Sequence, residues 1–180
     1  MALANRDELT QVLASDTGRL GRVFARHAYG MRAWVDLFAA RVPTIDDPAL
    51  KALVAGVVGD NARHMMLFRQ RAIAHGVDPD AYVCPDEGEG IYTRIPLITD
   101  MDELLGYALG SLDHFEELLS VYAHAARGED LEVVTVVRAD NERARAGLAA
   151  LVGPRGRELA QEAHERYRIR ELAETPTYRG

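Results

Sequence analysis

Apolar residues recur at three- and four-residue intervals in four long segments of the chain, which is the period of an α-helix. These segments cover residues 6–41, 47–76, 99–128 and 130–152. Stretches that alternate apolar and polar residues at the period of a β-strand are hard to find. The pattern therefore predicts an all-α protein.

Local start and stop signals agree with these boundaries. Asp47 is placed to cap the second helix with Pro48 in its first position, and Gly76 is placed to end it. Thr99 or Asp100 can cap the third helix, where an acidic residue follows at the spacing of a capping box. The first helix is predicted to run unbroken until the Val-Pro sequence that follows it.

The connections predict how the helices pack. Short turns join the first helix to the second and the third to the fourth, so each pair should form an antiparallel hairpin. Residues 76–98 contain three prolines and are numerous enough to run the length of a helix as a crossover. Residues 155–174 are highly charged and predict a fifth helix outside the bundle. We expect one domain over residues 1–180, with the bundle at about 6–152.

Composition narrows the classes of function. The 180 residues are 48% hydrophobic and 27% charged, as in a folded globular protein. A net charge of −7 without a sustained basic cluster argues against nucleic-acid binding. The apolar runs are far shorter than the ~20 residues that span a bilayer, which argues against a membrane protein. The single Cys84 and a charged start without a signal-peptide pattern predict a cytoplasmic location.

Polar residues interrupt the apolar stripes near the middle of the helices. His27 and His64 lie at equal distances from the turn between their helices and are predicted to meet at one level. Asn61 lies one turn before His64 on the same face. Such a layer could bind a small ligand or one divalent ion, or it could form a hydrogen-bonded core.

The second hairpin repeats part of this pattern. The sequences GDNARHM (59–65) and ADNERAR (139–145) share Asp-Asn-x-Arg, and in each the asparagine falls on the apolar stripe. Asn141 is therefore the counterpart of Asn61, which indicates a duplicated hairpin. The two amides could line a pocket, or they could hydrogen-bond each other and fix the helix register. The aspartates are predicted on partly exposed faces, where each motif forms a local charge pair.

The helix order, the crossover and the two Asp-Asn-x-Arg motifs resemble the ferritin-like superfamily, rubrerythrin relatives included. This resemblance implies a four-helix bundle in which Glu-x-x-His motifs on the second and fourth helices, with one glutamate on each of the others, hold two irons. The corresponding positions here are near His27, at Asn61 and His64, near Ser111, and at Asn141 and Ala144. Because amides supply no charge to neutralise iron, the resemblance implies a degenerate di-iron site.

The predicted pocket draws on all four helices and comprises His27, Asn61, His64, Ser111, Phe115 and Asn141. Its candidate metal ligands are His27 and His64. No cofactor is expected, apart from the single divalent ion that these two histidines could bind. In the third helix, Asp113 and Glu117 should point about 160° and His114 about 100° away from Phe115, onto a solvated face. If that helix is rotated, the replacement ligands are Asp60, Asp113, His114 and Glu117.

Three functions stay open from sequence alone. The first is a bundle that has lost its di-iron site and binds a small molecule or one metal ion. The second is an iron-dependent oxidoreductase that uses the replacement carboxylates, and the third is a structural or interaction protein. A homodimer is predicted because long helices carry more apolar surface than one small core covers.

Overall fold

The computed structural model describes residues 6–16, 18–84 and 95–173, with side chains of the last helix as far as residue 165. Within these residues the chain is helical and contains no β-strand, which confirms the all-α prediction. The described part of the chain contains six α-helices, which are α1 (Arg6–Ser15), α2 (Gly18–Ala39), α3 (Pro48–Ala74), α4 (Met101–Ala125), α5 (Glu129–Leu151) and α6 (Pro154–Ala173). Short 3₁₀ segments accompany them at Val42–Thr44, Pro79–Ala81 and Ile95–Leu97.

The first predicted helix is divided into two helices, because helical structure ends at Ser15 and begins again at Gly18. Asp16 accepts a hydrogen bond from the Gly18 backbone N–H at 2.9 Å and pairs with the Arg19 side chain at 3.1 Å. A short acidic side chain competes for backbone N–H groups, and glycine is a poor helix former, so the sequence Ser-Asp-Thr-Gly favours a new start. The prediction of one continuous helix was wrong at this point.

The remaining helix boundaries follow the predicted caps. Asp47 accepts from the Leu50 N–H at 2.7 Å at the start of α3, and Asp100 accepts from the Glu103 N–H at 3.0 Å at the start of α4. Gly76 has a φ of 75°, a left-handed conformation that suits the residue just after a helix. The predicted crossover of residues 76–98 is described at both ends, and its residues 85–94 lie outside the described part of the chain.

Two apolar clusters form the core, and a polar layer lies between them. One cluster contains Phe24, Phe68, Leu119 and Tyr122, and the other contains Trp34, Phe38, Val54, Leu104 and Leu148. On α3, α4 and α5, the buried polar residues other than Asp130 fall between the positions that contribute to the two clusters. This layer includes Asn61, His64, Ser111, Asp140 and Asn141.

The last helix packs against α4 with its backbone. A Cβ atom added to Gly106 would lie 2.0 Å from the Gly156 carbonyl oxygen, and one added to Gly110 would lie 2.1 Å from the Ala160 carbonyl oxygen. Such a close approach is possible only because both α4 positions lack a side chain. Residues 155–174 therefore form a helix as predicted up to Ala173, and this helix covers one face of α4.

Within the described residues, none of the helices combines the length and the apolar character needed to cross a bilayer. This finding agrees with the sequence, in which charged residues interrupt every apolar run.

We predict that Gly106→Ala destabilises the protein by about 1–3 kcal/mol, because the new methyl group forces α4 and α6 apart. Gly59→Ala is the matched control: it also replaces a helical glycine, but its Cβ meets no atom within 4 Å. The control should raise the free energy of unfolding by about 0.5–1 kcal/mol through helix propensity. Urea denaturation measures both changes. Equal stability of Gly106→Ala and the wild type would disprove the close contact.

Candidate functional site

The two Asp-Asn-x-Arg motifs face each other and exchange ion pairs. Arg63 on α3 pairs with Asp60 of its own motif and with Asp140 of the other motif. Arg143 on α5 likewise pairs with Asp140 of its own motif, and lies 3.8 Å from Asp60 of the other. The local pairs agree with the prediction, whereas the pairs between motifs were not foreseen. The repeat thus forms a reciprocal charge network between α3 and α5.

Asp140 is the buried centre of this network. Its side chain is only 7% exposed, compared with 29% for Asp60 in the other motif. One carboxylate oxygen lies 2.9 Å from His64 Nε2, and both arginines contact the same carboxylate. Asp140 was predicted to lie on a partly exposed face, and that prediction was wrong.

Burial and hydrogen bonding set the protonation of this pair. Burial lowers the pKa of His64 below its usual 6.5, although its hydrogen bond to Asp140 acts in the opposite direction. For Asp140, burial alone would raise the pKa, but the hydrogen bonds from His64 and Arg143 and the charge of Arg63 lower it below 3.8. At neutral pH, a neutral imidazole therefore donates its Nε2–H to an ionised carboxylate.

The two asparagines bond to backbone groups and not to each other. The Asn61 side-chain amide donates to the Val57 carbonyl at 2.9 Å, one turn back on α3. The Asn141 side-chain amide donates to the Leu112 carbonyl of α4 at 3.2 Å. The second bond joins α5 to α4, so Asn141 contributes to the register of these helices by a route other than the predicted amide pair.

His27 lies one helical turn away from the predicted level. Its ring packs against Phe68, which follows His64 by one turn on α3, at a centroid distance of 5.7 Å. Its Nε2 lies 2.8 Å from the Tyr122 hydroxyl oxygen. Met31, and not His27, is the α2 residue that lines the same cavity as His64. The shift arises because the 3₁₀ turn and the extended residues before α3 do not advance with the helical rise that the prediction assumed.

The polar layer contains two small cavities. The larger, which we call the core cavity, has a volume of about 70 Å³ and is lined by Arg26, His27, Asn61, Ser111, His114, Phe115 and apolar side chains that include Trp34 and Phe38. The smaller has a volume of about 20 Å³ and is lined by His64, Asp140, Asn141, Phe115 and Asn61 among others. The six predicted pocket residues therefore divide between two cavities, with Asn61 and Phe115 in the walls of both.

Comparison with family models, curated proteins and solved structures finds no significant match to this chain. Function must therefore be inferred from the geometry of its own residues.

The predicted replacement ligands lie in different surroundings. Asp60 belongs to the charge network, and Asp113 is half-buried and pairs with Arg145 of α5 at 2.7 Å. His114 is buried, contrary to the prediction of a solvated face, because α6 covers this side of α4. Glu117 is half-buried and lies 3.4 Å from His164 of α6.

Sequence reasoning also missed a second buried carboxylate. Asp130 at the start of α5 accepts from Arg71 Nε at 2.6 Å and lies 2.8 Å from His75 Nε2, both at the end of α3. The spacing of Arg71 and His75, one turn apart at the end of a helix, was the available signal for a shared acidic partner.

We predict that the protein loses stability as the pH falls below 6.5, in part because His64 has a lower pKa in the folded state. The unfolded chain then binds a proton that the folded chain excludes, so protonation favours unfolding by up to about 1.4 kcal/mol per pH unit. The contribution of His64 is fully present above pH 6.5 and is lost as the pH falls.

Urea midpoints between pH 7.5 and 5.0 should therefore fall less steeply in His64→Gln than in the wild type. His124→Gln is the control, because His124 is exposed and bonds only locally to the Ser120 carbonyl. The prediction fails if His64→Gln keeps the full pH dependence of the wild type.

Proposed function

We propose that this chain is a ferritin-like four-helix bundle that has lost its di-iron site and binds a small molecule in the core cavity. The observation that carries the proposal is the core cavity itself, which lies within the polar layer and joins apolar walls to several polar groups. Pockets of this composition are typical of small-molecule sites. The helix order and the duplicated motif support the family assignment.

The charge network supports the loss of the di-iron site. At the position of one Glu-x-x-His motif the chain has Asn61 and His64, and at the position of the other it has Asn141 and Ala144. Only His64 matches a ligand of the motif. The nearby carboxylate of Asp140 is already paired with two arginines. Two irons would need several carboxylates, and positive guanidinium groups would repel them. The arginines of the network thus neutralise the carboxylate of Asp140, as metal ions neutralise the carboxylates in the family.

The walls of the core cavity indicate the kind of ligand. Trp34, Phe38 and other apolar side chains favour an apolar body, whereas the Arg26 guanidinium, the Ser111 hydroxyl and the Asn61 amide favour one polar group. Arginine presents five N–H donors and no acceptor, so an acceptor group such as a carboxylate or a carbonyl suits this wall best.

Size limits the ligand further. The cavity volume of about 70 Å³ is roughly half of the ~150 Å³ that accommodates benzene in an engineered apolar cavity. The occupant should therefore be no larger than a benzene ring, and a ligand of that size requires small movements of the side chains. Short-chain carboxylic acids and alcohols fulfil these conditions.

The iron-dependent oxidoreductase and the purely structural protein are the alternatives. The oxidoreductase requires two irons per chain and a set of acidic ligands, so the iron content of the purified protein separates it from a binding protein. A structural protein requires an interior that excludes small molecules. The homodimer and the cytoplasmic location stay predictions from the sequence.

The only tryptophan of the chain lines the core cavity, so its fluorescence can report binding directly. We predict that butyrate causes a saturable change in Trp34 emission, with a dissociation constant on the order of millimolar for so few atoms. 1-Butanol tests the polar group, since it has the same chain length without the charge. Butyrate should bind more tightly if the Arg26 side of the cavity holds the polar end.

Two variants and one control complete this test. Ala108→Leu adds bulk to the cavity wall and should weaken binding by at least about tenfold, whereas Ser111→Ala removes one polar group and should weaken binding a few-fold. Gly59→Ala lies outside the cavity and should bind as the wild type does. If neither probe gives a saturable signal, or if Ala108→Leu binds both unchanged, the proposal is wrong.

A further inference from the structure

A second group of chemically reactive side chains lies between α4 and α6, where the last helix covers the bundle. His114 and Glu117 project from α4 at a spacing of one turn, and His164 projects from α6. One ligand atom from each of these three side chains lies within 4.8 Å of the other two. Two imidazoles and one carboxylate are a ligand set that zinc and related divalent ions bind in proteins.

The distances fit a single ion. Two ligand atoms at ~2.0–2.1 Å from a tetrahedral zinc ion are roughly 3.4 Å apart. The His164 Nε2 and the Glu117 Oε1 already lie at 3.4 Å. The imidazole rings of His114 and His164 lie 5.9 Å apart at an angle of 62°, so they do not stack face to face. Movements of about an ångström would bring His114 to a bonding distance from an ion between the other two.

The acidic residues of α4 face two neighbouring helices. Asp113 pairs with Arg145 at 2.7 Å, and Glu116 pairs with Arg138 at 2.8 Å, both with arginines of α5. Glu117 faces α6, where its Oε1 lies 3.4 Å from His164 Nε2. A carboxylate beside two imidazoles supplies the oxygen donor of a mixed nitrogen and oxygen ligand set for zinc.

Two of the three residues, Glu117 and His164, border an open surface groove, whereas His114 lies buried behind them. This groove has a volume of about 750 Å³ and is lined by Glu117 and His164 together with Gln161, Ser120 and five further charged side chains. Structural zinc sites have four protein ligands, whereas three protein ligands leave a position for water or a substrate. Access from the groove would supply that fourth ligand.

From these observations we propose that His114, Glu117 and His164 bind one divalent ion of the zinc class, with its fourth coordination position open to the groove. This site is separate from the charge network of α3 and α5. It joins α6 to α4, so the bound ion stabilises the packing of the last helix in addition to any chemistry of its bound water.

The test uses the full chain after treatment with a chelator, titrated with Zn²⁺ by calorimetry and with Co²⁺ by absorption spectroscopy. We expect about one Zn²⁺ per chain and the intense visible absorption of tetrahedral Co²⁺. His164→Gln and Glu117→Gln should each raise the dissociation constant by at least about tenfold. Both residues are half-buried, so these variants should keep the fold.

His124→Gln is the matched control, because His124 is an exposed histidine of the same helix outside the proposed ligand set. It should bind Zn²⁺ as the wild type does. The proposal is overturned if the wild type shows no saturable Zn²⁺ binding, or if both ligand variants bind it as tightly as the wild type.

Variants of Glu117 and His164 separate this proposal from the small-molecule proposal, whereas His114 belongs both to the metal cluster and to the wall of the core cavity. Neither Glu117 nor His164 lines the core cavity, so both ligand variants should retain the Trp34 response to butyrate. If the wild type responds to butyrate but does not bind Zn²⁺, only the proposal of the metal site is wrong. If it binds Zn²⁺ but does not respond to butyrate, only the proposal of a ligand in the core cavity is wrong.

Discussion

The arrangement of the polar layer depends on the buried carboxylate of Asp140. A charged group removed from water is costly unless its oxygens receive strong hydrogen bonds. Here His64 and Arg63 donate from α3, while Arg143 donates from α5 itself. A slip of one turn between these helices would leave the carboxylate without two of its donors. The ion pairs therefore favour one register of α3 against α5. An apolar layer would discriminate less between this register and a shifted one.

The two halves of the duplicated motif differ because of one residue. His64 follows the first motif directly, whereas Ala144 occupies the matching position after the second. The imidazole reaches Asp140 across the layer, but a methyl group cannot reach Asp60. Asp60 has arginine partners and stays half-buried, while Asp140 is almost fully buried. A symmetric sequence motif thus produces one buried, neutralised carboxylate and one semi-exposed carboxylate.

Sequence patterns predicted the helices well and their mutual positions less well. Caps such as Asp47 and Asp100 act through neighbouring residues, so they can be identified from local sequence. The ring of His27 packs against Phe68 and not at the level of His64. This offset depends on the geometry of the turn between α2 and α3, which cannot be derived from the helical periodicity of the sequence. The burial of His114 depends on the close contact of α6 with two glycines of α4. Asp16 was a local signal for the helix break before Gly18, because its side chain accepts a hydrogen bond from the Gly18 N–H. The prediction used helical periodicity alone and did not take this signal into account.

The most direct test of the central role of Asp140 is the free energy of unfolding of Asp140→Asn compared with that of Asp60→Asn, measured with urea at pH 7.5. Both changes remove one carboxylate charge at equivalent positions of the repeat and preserve side-chain shape. Asp140→Asn should cost about 1–3 kcal/mol because it removes a buried, charged acceptor from three donors. Asp60→Asn should cost less than about 1 kcal/mol, as is usual for accessible ion pairs. Equal costs for the two variants, or no cost for Asp140→Asn, would contradict the account.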